Sequence, residues 1–188
     1  MYQSFIYAIT RTGSLLFGVI KKHLYPSEKD QILEIGCNTG RLVKKIQRIA
    51  PNTYGIDINE KAIEAGITSN LQVMDARKLE FPDASFDKIY STHTIEHIPE
   101  LTKALTEIAR VLKKGGRAVL IYPAEPIRGL FCLLSSLFLL QNPLKVHVHK
   151  LSPQRLINDF IPGTGLEHIK SEFSFFPGPQ YLTILGKA

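Results

Sequence analysis

The stretch from Ile32 to Val43 reads ILEIGCNTGRLV and constrains the fold more than any other part of the chain. An apolar strand runs into Glu34, a turn follows with Gly36 and Gly40, and helical spacing of apolar residues begins after the second glycine. Glycine allows the tight bends and close approaches that such a turn requires. A strand, a glycine turn and a helix in this order open the nucleotide-binding half of a doubly wound sheet.

The details of the turn indicate which ligand it holds. A dinucleotide site uses the pattern G-x-G-x-x-G, because a pyrophosphate settles on the helix N-terminus. Here Asn38 stands between the two glycines, and the carboxylate of Glu34 would repel a pyrophosphate. The turn therefore favours a cationic ligand without phosphate, such as S-adenosylmethionine, and argues against a nicotinamide-dependent reductase on the same fold class.

The run from Glu34 to Gly40, EIGCNTG, resembles the first motif of the class I S-adenosylmethionine-dependent methyltransferases, which is roughly E/D-x-G-x-G-x-G. Asn38 replaces the middle glycine, and asparagine tolerates a left-handed backbone better than most residues, so we expect the loop to form. Cys37 is expected to be a small apolar filler of this loop. The resemblance is strong over residues 30–122 and weak elsewhere.

Three further landmarks follow in the order that the resemblance implies. A second strand ends in Asp57, roughly twenty residues past the glycine loop, where a carboxylate can accept both ribose hydroxyls. A third strand ends in Asp75, which the resemblance places beside the adenine with Ala76, and residues 79–90 match the run into the fourth strand. The cofactor-binding residues expected from motif and resemblance are Glu34, Gly36, Cys37, Asn38, Gly40, Asp57, Ile58, Asp75, Ala76 and Thr92.

Apolar spacing predicts alternating strands and helices. We expect a helical segment over residues 1–26, with Pro26 at its end, and Gly115 and Gly116 at the end of a later helix. Ser152 is expected to cap the last helix, because Pro153 follows it. The predicted strands are 31–35, 53–57, 71–74, 86–91, 116–122, 166–173 and 180–187, and the remaining predicted helices are 40–50, 60–66, 100–113 and 154–160.

This alternation predicts one α/β domain over residues 1–188, built as a Rossmann-like, doubly wound, mostly parallel sheet with helices on both faces. The resemblance implies seven strands, the last two forming a C-terminal antiparallel hairpin. The hydrophobic content of 44% is enough for a sizeable core.

Candidate catalytic residues lie after the fourth strand, at the carboxyl ends where such sheets bind ligands. Methyl transfer mainly requires the acceptor to be held in line, and a base is needed only when the acceptor retains its proton. His93, His97 and His149 are the candidates for that base, and a structural role is the alternative for each. His93, Glu96 and His97 also match the spacing of one zinc-peptidase motif, but a strand end is the wrong context, and we expect no metal site.

An apolar insert over residues 124–150 is predicted to be a lid over the acceptor, with a buried core helix as the alternative. A membrane-spanning helix needs about 20 apolar residues, and no apolar run in the sequence is that long. The net charge of +6 is scattered over the sequence, which leaves peripheral membrane contact open and does not favour nucleic acid. Cys37 and Cys132 form no disulfide framework, so a cytoplasmic setting is expected.

The sequence thus supports two functional hypotheses. The first is an enzyme, a methyltransferase that moves a methyl group from S-adenosylmethionine to a small-molecule or lipid- or quinone-like acceptor. The second is a non-catalytic cofactor-binding partner subunit of another methyltransferase. A nucleic-acid methyltransferase ranks below the lipid or small-molecule acceptor, because the chain lacks a separate recognition domain and the Asn/Asp-Pro-Pro-aromatic signature of many amino-directed DNA enzymes. The oligomeric state is left open.

Overall fold

The structure is a computed structural model and describes residues 12–124, 148–175 and 178–188. The described helices are α1 Thr12–Leu24, α2 Arg41–Ile46, α3 Glu60–Glu64, α4 Leu101–Val111 and α5 Pro153–Arg155, which continues as a π-helical stretch over Leu156–Phe160. A 3₁₀ turn covers Ile95–His97. The described strands are β1 Ile32–Ile35, β2 Thr53–Asp57, β3 Leu71–Val73, β4 Phe86–Thr92, β5 Leu112–Pro123, β6 Leu166–Ser174 and β7 Gln180–Lys187.

The strands within these ranges form one seven-stranded sheet in the order β3-β2-β1-β4-β5-β7-β6. β1 to β5 pair in parallel, and β7 runs antiparallel to both of its neighbours. The register between β6 and β7 shifts between His168 and Lys170. The predicted sheet and its C-terminal hairpin are confirmed. The strand order reverses between β1 and β4, where a doubly wound sheet forms its ligand crevice at the carboxyl ends.

Both faces of the sheet are covered by apolar residues, as alternation along β5 shows. Ala118, Leu120 and Tyr122 point to one face and pack with the buried side of α4, whereas Val119 and Ile121 point to the other and pack with α1 and α2. Because a strand exposes successive side chains to opposite faces, a strand buried on both sides reads as a continuous apolar run. Helices on both faces are therefore confirmed.

The helices owe their positions to apolar residues at helical spacing. Leu16, Ile20 and Leu24 of α1 are fully buried and lie one turn apart, so the predicted N-terminal helical segment is part of the core from residue 12 onward. α4 repeats this arrangement with the buried residues Leu101, Ala104, Leu105, Ile108, Ala109 and Val111. Residues 1–11 of the predicted segment and residues 125–147 of the predicted lid lie outside the described residues.

The predicted boundary between α4 and β5 was wrong. We expected a helix over 100–113 that ended at the glycine pair and a strand over 116–122, but α4 ends at Val111 and Leu112 already pairs with Phe86. Burial of Leu112 in the sheet overrides helix propensity, and the Lys187 ammonium donates to the Leu112 carbonyl oxygen at 2.8 Å. Gly115, with φ of 73°, instead belongs to the register shift between the two parts of β5.

Smaller differences concern the ends of short elements. The helices predicted at 40–50 and 60–66 end at Ile46 and Glu64, and the strand predicted at 71–74 ends at Val73. The helix predicted at 154–160 is α-helical only over its first turn and then widens into the π-helical stretch. The predicted cap is confirmed, because the Ser152 hydroxyl oxygen accepts from the Arg155 backbone N–H at 3.2 Å.

The close fit of β2 beneath the glycine turn gives a stability prediction. A Cβ at Gly55 would lie 2.7 Å from Cys37 Cβ and 2.7 Å from Val43 Cγ2, so we expect Gly55→Ala to lower the free energy of unfolding by about 1–3 kcal/mol. Gly18→Ala is the matched control, because its Cβ meets no atom within 4 Å and alanine favours the helix by up to about 1 kcal/mol. Urea unfolding measures both, and equal effects would contradict the packing argument.

Candidate functional site

The glycine turn after β1 is held against β2 by two backbone bonds. The N–H groups of Gly36 and Cys37 both donate to the Ile56 carbonyl oxygen, at 2.8 and 2.9 Å. Gly36 has φ of 78°, and a Cβ there would lie 2.0 Å from Thr94 Oγ1. Glycine at this position therefore lets the loop after β4 lie directly against the turn.

The second half of the turn is joined to the end of β2 by a carboxylate. Asn38 and Gly40 have φ of 50° and 75°, so the asparagine adopts the left-handed conformation that we expected. The Asn38 backbone N–H donates to Asp57 Oδ2 at 2.8 Å, and the Asn59 backbone N–H donates to Asp57 Oδ1 at 2.9 Å. Asp57, at the end of β2, therefore fixes the shape of the glycine loop, and it also lines the ligand crevice.

A cavity of about 150 Å³ opens beside this turn at the carboxyl ends of the strands. Six of the residues predicted for the site line it, namely Gly36, Asp57, Ile58, Asp75, Ala76 and His97. The remaining lining residues are mostly apolar and include Ile35, Ile56, Met74 and Ile98. The cavity therefore joins residues from four separate parts of the sequence in a slot with apolar walls and carboxylates at its edge.

The charges around the cavity disfavour a phosphate-bearing ligand. Asp57 and Asp75 supply two carboxylates, and Arg77 is the one Arg or Lys side chain among the described lining residues. The Arg77 guanidinium lies 2.7 Å from Asp75 Oδ2 and 3.0 Å from Glu100 Oε2, so its charge is matched by neighbouring carboxylates. A neutral or cationic nucleoside fits this balance better than a pyrophosphate does.

Glu34 lies beneath the turn and does not line the cavity. It is 2% exposed, its Oε2 accepts from the Tyr90 hydroxyl at 3.0 Å, and the Val43 backbone N–H also donates to it. Burial raises the pKa of the Glu34 carboxyl to about 8, and the negative charge of Asp57 adds to the shift. The carboxyl is therefore mostly protonated at neutral pH, and a nearby cation would favour its ionised form.

Comparison with known proteins agrees with this geometry. Residues 33–120 match the family described as methyltransferase domain. The chain is 31% identical over 121 residues to demethylmenaquinone methyltransferase of Symbiobacterium thermophilum, a stretch that covers 57% of this chain and 47% of that protein. It is 33% identical over 110 residues to sterol 4-C-methyltransferase of Caenorhabditis elegans, covering 53% of this chain and 33% of that protein.

These matches support a class I S-adenosylmethionine-dependent methyltransferase, the family that the sequence motifs resemble. The fold agrees, because the crystal structure of an S-adenosylmethionine-dependent methyltransferase from Archaeoglobus fulgidus has a TM-score of 0.72, with 19% sequence identity and coverage of 93% of this chain and 94% of that one. S-adenosylmethionine is the cofactor that this family implies. The matched stretch covers less than half the length of each of these two relatives.

The candidate catalytic histidines occupy different positions. His97 lines the cavity, and its Nε2 lies 3.9 Å from Glu96 Oε1. His93 Nδ1 lies 3.9 Å from the same oxygen, and its backbone has φ of 52°. Glu96 itself is 2% exposed. The structure thus gathers both histidines around one buried carboxyl, which leaves His97 as the candidate that also reaches the cavity.

His149 has contacts of a structural kind. Its Nε2 lies 2.9 Å from the Ile98 carbonyl oxygen and 3.1 Å from that of Pro99, so this nitrogen carries a hydrogen and donates. The backbone N–H of His149 donates to the Glu96 carbonyl oxygen at 3.0 Å. These bonds hold the segment that forms one wall of the cavity, which favours the structural alternative for His149.

Four predicted cofactor residues besides Glu34 support the site without lining the cavity: Cys37, Asn38, Gly40 and Thr92. Cys37 is a free, buried thiol whose pKa is raised by burial, as suits the expected apolar filler. The Thr92 carbonyl oxygen accepts from Thr94 Oγ1 at 3.2 Å. Sequence reasoning missed Met74, Arg77 and Thr94 as lining residues. Their only sequence signal is proximity to Asp75 and His93.

In the parts of the chain that the structure describes, no group of three or more His, Cys, Asp or Glu side chains is arranged to hold a metal ion. Among the helices of those same parts, none combines the length and the apolarity that a membrane crossing requires.

The buried Glu34 carboxyl predicts a pH-dependent stability. The unfolded chain ionises this group near its ordinary pKa of 4.5, whereas the folded chain holds the proton to about 8. The contribution of Glu34 to stability is therefore greatest below pH 4.5 and falls as the pH rises towards 8. Glu34→Gln removes this titration, so we expect its thermal midpoint to rise relative to that of the wild type between about pH 5 and about pH 9.

Thermal unfolding in a series of buffers measures that difference. Glu64→Gln, on the exposed side of α3, is the matched control for loss of one carboxylate. A difference between Glu34→Gln and wild type that stays constant over this pH range would contradict a proton held by Glu34 in the folded chain.

Proposed function

We propose that the chain is an S-adenosylmethionine-dependent methyltransferase that acts on a small-molecule acceptor of lipid- or quinone-like character. The observation that carries this proposal is the apolar slot with Asp57 and Asp75 at its edge and no unmatched Arg or Lys among its described lining residues. Such a slot suits a nucleoside that carries positive charge and no phosphate.

The lining residues fit the parts of this cofactor in turn. Asp57 is proposed to accept hydrogen bonds from the ribose hydroxyls, and Asp75 to accept one from the amine of the base. Ile58 is 69% exposed although it is apolar, which a flat base packed against it would explain. Gly36 has no side chain, so only backbone lies at the end of the slot that we assign to the amino-acid part of the cofactor.

When bound, S-adenosylmethionine would supply an electrophilic methyl group, whose bond to sulfur would be exchanged for a bond to a lone pair of the acceptor. The chain contributes mainly by holding the acceptor in line with that methyl group. His97 on the cavity wall is proposed to take the proton of an acceptor that still carries one. His93 lies at the same distance from the Glu96 carboxyl and is the second candidate.

Two observations support the lipid- or quinone-like acceptor. The relatives reported above are named for demethylmenaquinone and sterol substrates, both largely apolar molecules. The apolar composition of residues 124–150 suits a lid over such an acceptor, and this segment follows β5 at the carboxyl end of the sheet. Peripheral contact with a membrane is a further proposal on the same grounds.

The ribose assignment predicts the effect of a conservative substitution. We expect Asp57→Asn to weaken binding of S-adenosylhomocysteine about tenfold to a hundredfold, because charged hydrogen bonds to hydroxyls are lost. Asp159→Asn is the matched control, since its exposed carboxylate pairs with Arg155 outside the cavity. Titration calorimetry measures both affinities, and a thermal melt checks that the loop held by Asp57 stays folded. Unchanged affinity in a folded Asp57→Asn variant would refute the assignment.

The proposed function is tested by methyl transfer from isotope-labelled S-adenosylmethionine into a cell extract that is then partitioned between organic solvent and water. We expect label in the organic phase for an apolar acceptor. Label confined to the aqueous phase would contradict the lipid- or quinone-like acceptor. No label in either phase, with the cofactor bound, would contradict the enzyme and favour the partner-subunit hypothesis.

A further inference from the structure

Arg77 connects two of the loops that line the cavity. It follows β3 on the wall that contains Asp75 and Ala76, and its Nη1 donates to Glu100 Oε2 at 3.0 Å. Glu100 immediately precedes α4 and follows Ile98 and Pro99, which also line the cavity. A single guanidinium therefore hydrogen-bonds to acceptors on both of these loops.

The same guanidinium holds Asp75 in one orientation. Arg77 Nε lies 3.1 and 3.0 Å from the two carboxylate oxygens of Asp75, and Nη2 lies 2.7 Å from Oδ2. The Arg77 backbone N–H also donates to Oδ1 at 2.8 Å. A planar guanidinium that meets both oxygens of a carboxylate fixes its direction in a way that a single bond does not.

We propose that Arg77 is a positioning residue that sets the base selectivity of the cofactor site, by keeping Asp75 a fixed acceptor and by tying the base-side loop to Glu100. This inference rests on the proposed function, because it concerns the base of a bound nucleoside. It adds a selectivity determinant outside the glycine motif and the strand-end carboxylates.

The chemistry of a held carboxylate explains the selectivity. The bonds from Arg77 lower the pKa of the Asp75 carboxyl, which keeps it ionised and able only to accept. A carboxylate has about four acceptor positions. Arg77 offers three N–H groups to Asp75, one of them shared between both oxygens, so one position remains for a further donor. An exocyclic amine, as in adenine, can donate there. A carbonyl oxygen at the same position of the base, as in hypoxanthine, would face the negative charge.

The test compares binding of S-adenosylhomocysteine with binding of its hypoxanthine analogue, S-inosylhomocysteine, by titration calorimetry. We expect the wild type to favour the adenine compound at least about tenfold. Arg77→Gln should weaken the adenine compound about tenfold and reduce the preference, because Asp75 is then free to turn. Arg77→Lys should restore the preference only in part, because an ammonium cannot hold both oxygens in a fixed plane.

Glu100→Gln separates the two roles of Arg77. It removes the charge pair between Arg77 and Glu100 and leaves the bonds to Asp75. The base preference should therefore persist. The dissociation rate of S-adenosylhomocysteine in stopped-flow measurements should rise about twofold to fivefold. Arg155→Gln is the matched control, because that arginine contacts Asp159 and the Lys150 carbonyl oxygen and does not line the cavity. Its affinities should equal those of the wild type.

Three results would overturn the inference. Unchanged affinity for both compounds in Arg77→Gln would make Arg77 an ordinary surface ion pair. If Arg77→Gln weakened the binding of both compounds equally, the role of Arg77 would be structural. If Glu100→Gln lost the preference for the adenine compound, the selectivity would not depend on the bonds between Arg77 and Asp75. If the wild type bound neither compound, the proposed function itself would fail. That outcome differs from one in which the wild type binds S-adenosylhomocysteine and Arg77→Gln leaves the binding unchanged.

Discussion

The site depends on the parallel pairing of β1 with β2, which aligns Ile35 with Ile56. Because the two strands end side by side, the Ile56 carbonyl oxygen is free to receive the N–H groups of Gly36 and Cys37. The glycine turn thereby becomes a continuation of the sheet. A slip of one residue would send Asp57 to the other face of β2 and remove the acceptor of the Asn38 N–H. Loop shape and ligand contacts are thus both set by strand register.

Three carboxyl groups near the switch point have three different electrostatic environments, and only those of Asp57 and Asp75 are ionised at neutral pH. Glu34 is buried with a hydroxyl and a backbone N–H, Asp57 accepts two backbone N–H groups, and Asp75 is matched by Arg77. These groups carry more negative than positive charge, and an excess of like charge does not stabilise the ligand-free chain. Local arrangements of this kind are characteristic of binding sites, where a ligand supplies the missing charge.

The framework of the fold could be predicted from sequence because it depends on local signals. Asn38 in a left-handed conformation and Ser152 as a helix cap follow from the chemistry of one side chain. The start of β5 could not be predicted in this way, because Leu112 joins the sheet through a partner at Phe86, far away in the sequence. Local glycine signals pointed to Gly115 and Gly116, whereas tertiary burial decided the boundary.

The same distinction applies to the site. Gly36, Asp57, Ile58, Asp75 and Ala76 were predicted to bind the cofactor, and they line the cavity because the carboxyl ends of parallel strands share one edge of the sheet. The contact of Arg77 with Glu100 crosses 23 positions of sequence and carries no motif. The bonds from His149 to the Ile98 and Pro99 carbonyls are likewise invisible in sequence, where the imidazole looked like a candidate base.

The register shift between His168 and Lys170 has a consequence for the chain in concentrated solution. β6 ends the strand order among the described strands, and Ile169 and Phe173 are exposed on it. A long flat apolar edge would recruit strands of other molecules into a growing sheet. The irregular register and the charge of Lys170 interrupt that edge, so neighbouring molecules cannot continue its ladder without a mismatch. Such an irregular, charged edge disfavours edge-to-edge pairing of neighbouring molecules along β6.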